Sequence, residues 1–217
     1  MIDDLFHDLP SGISFSLFAD DSAIWCITPD YDVAIQRPQI ALDKIEKWSS
    51  NNGLEFSAEK SALMIFTINP GNKASTLSNG IPIPQVSQFK FLGVVLDSLL
   101  TMKHHITHIQ AKCKKRMNLF RCLTSTPAGA DLCTLLRLYK ALVLSIIEYG
   151  SVMYAGGSPS YLMKLEVIQN DFLRLALGAM KTSSVISLQV GAHIPPLYIR
   201  RMDLSQHAIL HKNQSVS

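Results

Sequence analysis

Asp20 and Asp21 stand side by side between two apolar runs, in Ser14-Phe15-Ser16-Leu17-Phe18-Ala19-Asp20-Asp21-Ser22-Ala23-Ile24-Trp25. Adjacent carboxylates offer hard oxygen donors of the kind that hold Mg2+ or Mn2+. The flanks alternate with period two. Phe15, Leu17 and Ala19 oppose Ser14, Ser16 and Phe18, and Ala23 and Trp25 oppose Ser22, Ile24 and Cys26. This predicts a strand, a tight turn and a returning strand with both acids at the turn, where aspartate tolerates unusual backbone angles. An Asp-Asp pair is also an ordinary turn sequence; what gives it chemistry is a rigid hairpin tip that fixes both carboxylates.

The second chemically suggestive group is basic. From about Lys103 to Leu123, Ile106, Ile109, Cys113, Met117 and Phe120 recur at helical spacing. The same stretch carries Lys103, Lys112, Lys114, Lys115, Arg116 and Arg121 and no acid. A solvated face normally mixes signs, so a purely basic helix favours a surface that meets phosphate. Residues 1–100 hold 12 acids against 6 Lys and Arg, a balance of −6, whereas residues 101–217 hold 5 against 14, a balance of +9. An acidic half joined to a basic half suits a metal site beside a phosphate-binding surface, although solvated faces alone also produce such asymmetry. His104 and His108 share a helical face, but a zinc site needs a further ligand, so they read as polar residues of the first turn.

The rest of the chain must position these groups. Its 217 residues, 47% hydrophobic and 17% charged, suffice for a substantial core. A helix is expected up to about Ser50, with Ala41, Leu42, Ile45 and Trp48 on one face; it either begins near Arg37 or kinks at Pro38. Asn51-Asn52-Gly53 stops it. Ala62 to Thr67 reads as a strand, Asn69 to Gly80 as a polar loop and Ile81-Pro82-Ile83-Pro84 as an extended edge. Phe89 to Asp97 reads as a second hairpin bent at Gly93. Helices are expected over about 103–123, 130–154 and 161–177, with shorter ones from Thr182 and after Pro195-Pro196-Leu197. Tyr139, Tyr149 and Tyr154 are expected in the helical core. The apolar run Leu138 to Ala155 is broken by Lys140 and Glu148 and reads as a buried helix, so no membrane partner is expected. An acidic N-terminus unlike a signal peptide and four cysteines without a CxxC pair point to reduced thiols inside the cell.

Several of these stretches, taken in order, resemble a known family. Phe18-Ala19-Asp20-Asp21 is similar to the Phe/Tyr-Ala-Asp-Asp motif of reverse transcriptases, in particular those of non-LTR (LINE-like, jockey-type) retrotransposons. Phe89-Lys90-Phe91-Leu92-Gly93-Val94-Val95-Leu96-Asp97 is similar to that family's Phe/Tyr-Leu-Gly-Val/Ile-x-Leu-Asp signature, the more specific of the two. The run Leu138 to Val143 with Glu148-Tyr149-Gly150, and then Leu165 to Asn170, resembles its thumb and C-terminal extension.

The resemblance implies an α+β fold: a partial polymerase palm over 1–100, antiparallel hairpins with a helix, followed by an all-α thumb and extension over 101–217. It implies Asp20 and Asp21 as catalytic metal-site residues for Mg2+ or Mn2+, with Asp20 the direct ligand. Lys60 would neutralise or protonate departing pyrophosphate, or else is a surface lysine at a loop end. Gly93 lies in the element that grips the primer, and Lys112, Lys115 and Arg116 would lie along the duplex. The implied partners are an RNA template with a DNA primer and deoxynucleoside triphosphates, in nucleus or cytoplasm. The family's third palm acid and its fingers have no counterpart in the sequence; Asp3, Asp4 and Asp8 sit in no strand pattern. The chain alone is therefore not expected to extend a primer, and the alternative is a non-catalytic nucleic-acid-binding or protein-interaction remnant. Such a remnant is expected to expose an apolar sheet edge.

Overall fold

A computed structural model describes residues 9–67, 76–78, 80–124 and 129–214. Asp3, Asp4, Asp8 and most of the expected loop from Asn69 lie outside the described residues. The fold is mixed α+β, and the described residues group into two compact units. One runs up to Gly93 and includes Asp97–Leu99; the other comprises Val94–Leu96 and the chain from Leu100 onward.

In the first unit, β1 (Ile13–Phe18) and β2 (Asp21–Cys26) pair antiparallel with Phe18 opposite Asp21 and Ile13 opposite Cys26. The loop is therefore Ala19-Asp20, and Asp21 is already the first residue of the returning strand. Helix α1 (Tyr31–Asn51) follows, capped by Asp30, whose carboxylate accepts the N–H groups of Asp32 and Val33 at 2.9 and 3.3 Å. Leu17 and Ile24 of the hairpin pack with Trp48 and Phe56 around Ile45.

Helix α1 does not begin at Arg37: it runs through Pro38. Proline has no N–H to give Ala34, four residues earlier. The Ala34 carbonyl instead accepts the Cys26 thiol from the end of β2, at 3.7 Å. Gly53, with φ +66°, takes the left-handed position after the helix.

The strand expected over Ala62 to Thr67 is reduced to one parallel bridge, Leu63 to Gln85, in which Leu63 N–H donates to Pro84 and Leu63 C=O accepts from Val86. Prolines 82 and 84 cannot donate to a ladder, which limits how far pairing extends. Part of the expected loop is instead a strand: β3 (Thr76–Ser78) pairs antiparallel with β4 (Ile81–Ile83). The chain passes between the units in the hairpin of β5 (Gln88–Phe91) and β6 (Val94–Asp97). Leu92 and Gly93 both have positive φ, the requirement of a type I′ turn.

The second unit is helical. Helix α2 (Lys103–Thr124) buries Ile106, Ile109, Cys113 and Phe120. Helix α3 (Leu132–Tyr139) continues through a π-helical stretch, Lys140–Leu144, into α4 (Ser145–Glu148). In an α-helix, residues four apart drift around the axis; the wider π turn cancels that drift. Leu135, Tyr139, Val143 and Ile147 consequently all reach the core.

The continuous helix expected to Tyr154 breaks at Tyr149-Gly150, where Gly150 is left-handed, before α5 (Ser151–Tyr154). Tyr149 therefore points outward, 56% exposed, while Tyr139 and Tyr154 are buried as expected. Helices α6 (Pro159–Leu177), α7 (Val185–Ala192) and α8 (Leu197–Gln214) complete the unit. Leu165, Phe172 and Leu173 of α6 pack with Phe120 and Tyr139, and the Phe120 and Phe172 rings meet edge to face at 5.2 Å. Among the described residues no helix is long and apolar enough to cross a membrane.

Candidate metal and nucleic-acid sites

The acid pair occupies the tip of the β1–β2 hairpin. Ala19, not an aspartate, carries the left-handed angle, with φ +53°. A positive φ at the first loop residue alone is the pattern of a type II′ turn, which glycine usually fills. Holding an alanine there costs about 1–2 kcal/mol. The expectation that an aspartate would absorb the unusual angle is thus corrected: Ala19 absorbs it, leaving Asp20 free of that strain.

Both carboxylates are exposed. By strand alternation Asp21 shares a face with Phe18, Ala23 and Trp25, and this face is open, with Phe18 65% and Trp25 43% exposed. Among the described residues neither edge of the hairpin pairs with a further strand. The pair offers oxygen donors with room for water and phosphate around them, the manner in which Mg2+ is held by one or two carboxylates. Among the described residues no group of three or more His, Cys, Asp or Glu is placed to hold a metal ion.

Lys60 closes a 3-10 turn, Ala58–Lys60, and is exposed. Among the described residues no ion pair joins it to either aspartate. Gly93, with φ +82°, forms the second half of the β5–β6 turn. The acid pair and Lys60 belong to the first unit; Lys112, Lys115 and Arg116 belong to the second.

On α2 the basic residues separate into two groups. Successive residues step about 100° around a helix. Lys112, Lys115 and Arg116 fall on one flank of the buried stripe, with Lys115 exposed and the other two half-buried. The Arg116 guanidinium folds back to donate to the Lys112 carbonyl at 3.4 Å. Lys103, Lys114 and Arg121 fall on the opposite flank, and all three are exposed.

Four of the five acids of residues 101–217 already have partners. Asp131 caps α3 through the Thr134 N–H, and Glu148 pairs with Arg200. Glu166 pairs with Arg201 and Asp171 with Arg174, each at 3.3 Å. Among the described residues no ion pair joins a cation of α2 to a carboxylate.

Two anchoring devices give no sequence signal beyond residue type. The His105 Nδ1 accepts the Val95 N–H at 3.2 Å, tying α2 to β6. Burial, then the charges of His108 and Lys112, hold its pKa below the usual histidine value. The Glu166 carboxylate of α6 accepts the N–H groups of Leu197 and Tyr198 at 3.1 and 2.9 Å, seating the start of α8. Beneath it, Gln169 links the Tyr139 hydroxyl (2.8 Å) to the Pro195 carbonyl (3.1 Å). Cys113 is a core residue, its thiol pushed up to about 11 by burial.

Residues 1–96 match the family described as reverse transcriptase (RNA-dependent DNA polymerase). The chain is 25% identical over 194 residues, 89% of its length, to the RNA-directed DNA polymerase from mobile element jockey of Drosophila melanogaster, of which it covers 21%. It is 26% identical over 167 residues, 77% of the chain and 18% of the relative, to the jockey polymerase of Drosophila funebris. To the probable RNA-directed DNA polymerase from transposon X-element of Drosophila melanogaster it is 26% identical over 183 residues, 79% of the chain and 20% of the relative. The chain thus spans about a fifth of the length of these relatives. No solved structure matches it. By its family match over residues 1–96 and its relatives over most of its length, the chain is similar to the RNA-directed DNA polymerases of jockey and other mobile elements.

Proposed function

We propose that the chain is part of an RNA-directed DNA polymerase, residues 1–100 being palm and 101–217 thumb and extension. The observation that carries this reading is the Phe-Ala-Asp-Asp hairpin, with both carboxylates at an open tip within the region that matches the family. Asp20 and Asp21 would hold Mg2+ or Mn2+, which when bound assists attack of the primer 3′-hydroxyl and stabilises departing pyrophosphate. Ala19 fixes the turn that carries Asp20 and leads into Asp21. Lys60 would offer a proton or a positive charge to pyrophosphate. Gly93 lets the β5–β6 turn come close to the primer, and Lys112, Lys115 and Arg116 hold the RNA–DNA duplex by its phosphates. A second reading, a nucleic-acid-binding remnant without polymerase activity, rests on the acid-free basic helix α2, which needs no metal to hold phosphate.

The test is binding of an RNA–DNA hybrid across a salt titration, with primer extension measured in a polymerase that carries this segment. Replacing Lys112, Lys115 and Arg116 by glutamine should flatten the slope of log K against log salt by about 2–3. Asp20→Asn should abolish extension and leave hybrid binding intact. Salt-independent binding, or extension that survives Asp20→Asn, would overturn the proposal; intact binding with no extension in the parent would leave the remnant.

A further inference from the structure

Lys103, Lys114 and Arg121 are separated by 11 and 7 residues, which returns each to within about 20° of the same line along α2. They form a straight row about 27 Å long on the flank opposite Lys112 and Arg116. Helix α6 lies against this flank and contributes Lys164. The Lys103 and Lys164 ammonium groups lie 5.8 and 4.4 Å from the centre of one ring, that of Tyr161. A ring face attracts cations, so two like charges from different helices are gathered at one place.

Between the row and α6 runs an open groove of about 510 Å3. Its floor is apolar, with Met117, Val167 and Ile168; Lys114, Arg121 and Lys164 stand around it. Its one lining acid, Asp171, is paired with Arg174.

We propose that this groove binds single-stranded nucleic acid, with phosphates on Lys114, Arg121 and Lys164 and bases over Met117 and Val167. The inference rests on the polymerase reading and extends it: the duplex and an unpaired strand occupy opposite flanks of the same helix. Charge selects a polyanion, and the apolar floor selects one with flat faces to bury. An acidic amphipathic peptide shares those two properties. The groove also presents the Gln110 and Asn118 amides, which can hydrogen-bond base edges. The apolar stripe of a peptide helix would cover those amides and offer them no further partner, the Asn118 oxygen keeping only the Arg121 guanidinium it already accepts from at 3.4 Å.

The experiment uses the full chain, fluorescein-labelled 12-nucleotide oligo(rU) as the single strand and a 12-base-pair RNA–DNA hybrid as the duplex. The triple change Lys114→Gln, Arg121→Gln and Lys164→Gln should weaken oligo(rU) binding roughly 50-fold near 0.15 M salt and make its salt slope shallower by about two. Hybrid binding should change less than threefold. Glutamines at 112, 115 and 116 should do the reverse. Val167→Asp, which leaves every cation in place, should also weaken oligo(rU) alone. Unchanged oligo(rU) binding in the triple variant, equal loss of both ligands, or displacement of oligo(rU) by an acidic amphipathic peptide of equal charge at lower concentration would overturn the inference. Failure of the parent chain to bind either probe would overturn the polymerase reading with it; hybrid binding that depends on 112, 115 and 116 beside an indifferent groove would sink the groove alone.

Discussion

Glu166→Ala is the sharpest test of what holds the helical unit together. The wild-type carboxylate accepts two N–H groups at the start of α8 and faces the Arg201 guanidinium at 3.3 Å. Arg201 and Leu197 are both buried, so water cannot replace the acceptor lost to them, whereas the exposed Tyr198 N–H can turn to solvent. Two charge-assisted hydrogen bonds lost at a helix N-terminus, plus a buried guanidinium left unpaired, cost about 3–5 kcal/mol. That is a large share of the roughly 5–15 kcal/mol of a folded domain. Urea titration followed by far-UV circular dichroism measures the loss, and amide exchange at Tyr198 to Arg201 locates it. The double change Glu166→Leu with Arg201→Met removes the unpaired charge and should recover more than half of the loss. A single-variant cost below about 1 kcal/mol, or a double variant no better than the single, would refute the reasoning.

Two further outcomes follow from local geometry. His105 is held neutral with its pKa below the ordinary value, so the unfolded chain binds more protons between the folded pKa and about 6.5. Stability should be full above about pH 6.5 and fall below it by up to about 1.4 kcal/mol per pH unit, and His105→Gln should flatten that limb in urea titrations from pH 7.5 to 5. Gly150 has φ +67°, and a Cβ there would stand 2.9 Å from a Val94 methyl. Gly150→Ala should therefore cost about 1–3 kcal/mol, with Val94→Ala in the same chain returning part of it when thermal unfolding is compared.

The readable parts of this chain were those with strong period or strong punctuation. The buried stripe of α2, Ile106 through Phe120, follows directly from residue spacing, as do the left-handed residues Gly53 and Gly178 that end their helices. The misread parts are those where tertiary partners decide. Ala62 to Thr67 has strand composition but finds one bridge, because its neighbour carries two prolines. Tyr149 fits the helical stripe until the left-handed Gly150 turns it outward. At the acid hairpin, turn chemistry put both acids in the loop, whereas the loop is Ala19-Asp20 with Asp21 already in β2, and propensity assigned the unusual backbone angle to an aspartate where the alanine takes it. The basic content of α2 was legible too, but its separation into two flanks emerges only from stepping each residue around the axis. Glu166 and His105 could not have been singled out, since their partners lie far along the chain or in another element.

The thiol that occupies the vacancy beside Pro38 also bears on the order of events in folding. The Cys26–Ala34 bond spans eight residues, and the β1–β2 hairpin pairs neighbours across a two-residue loop. Hairpin and helix therefore close short loops, whose entropic cost is small, before any distant contact is needed. The anchors of α8 bridge 26 to 52 residues, from Gln169–Pro195 to Glu148–Arg200. Residues 13–51 are accordingly held by local contacts, so the acid-bearing tip stands on a part of the chain that needs no distant partner to close.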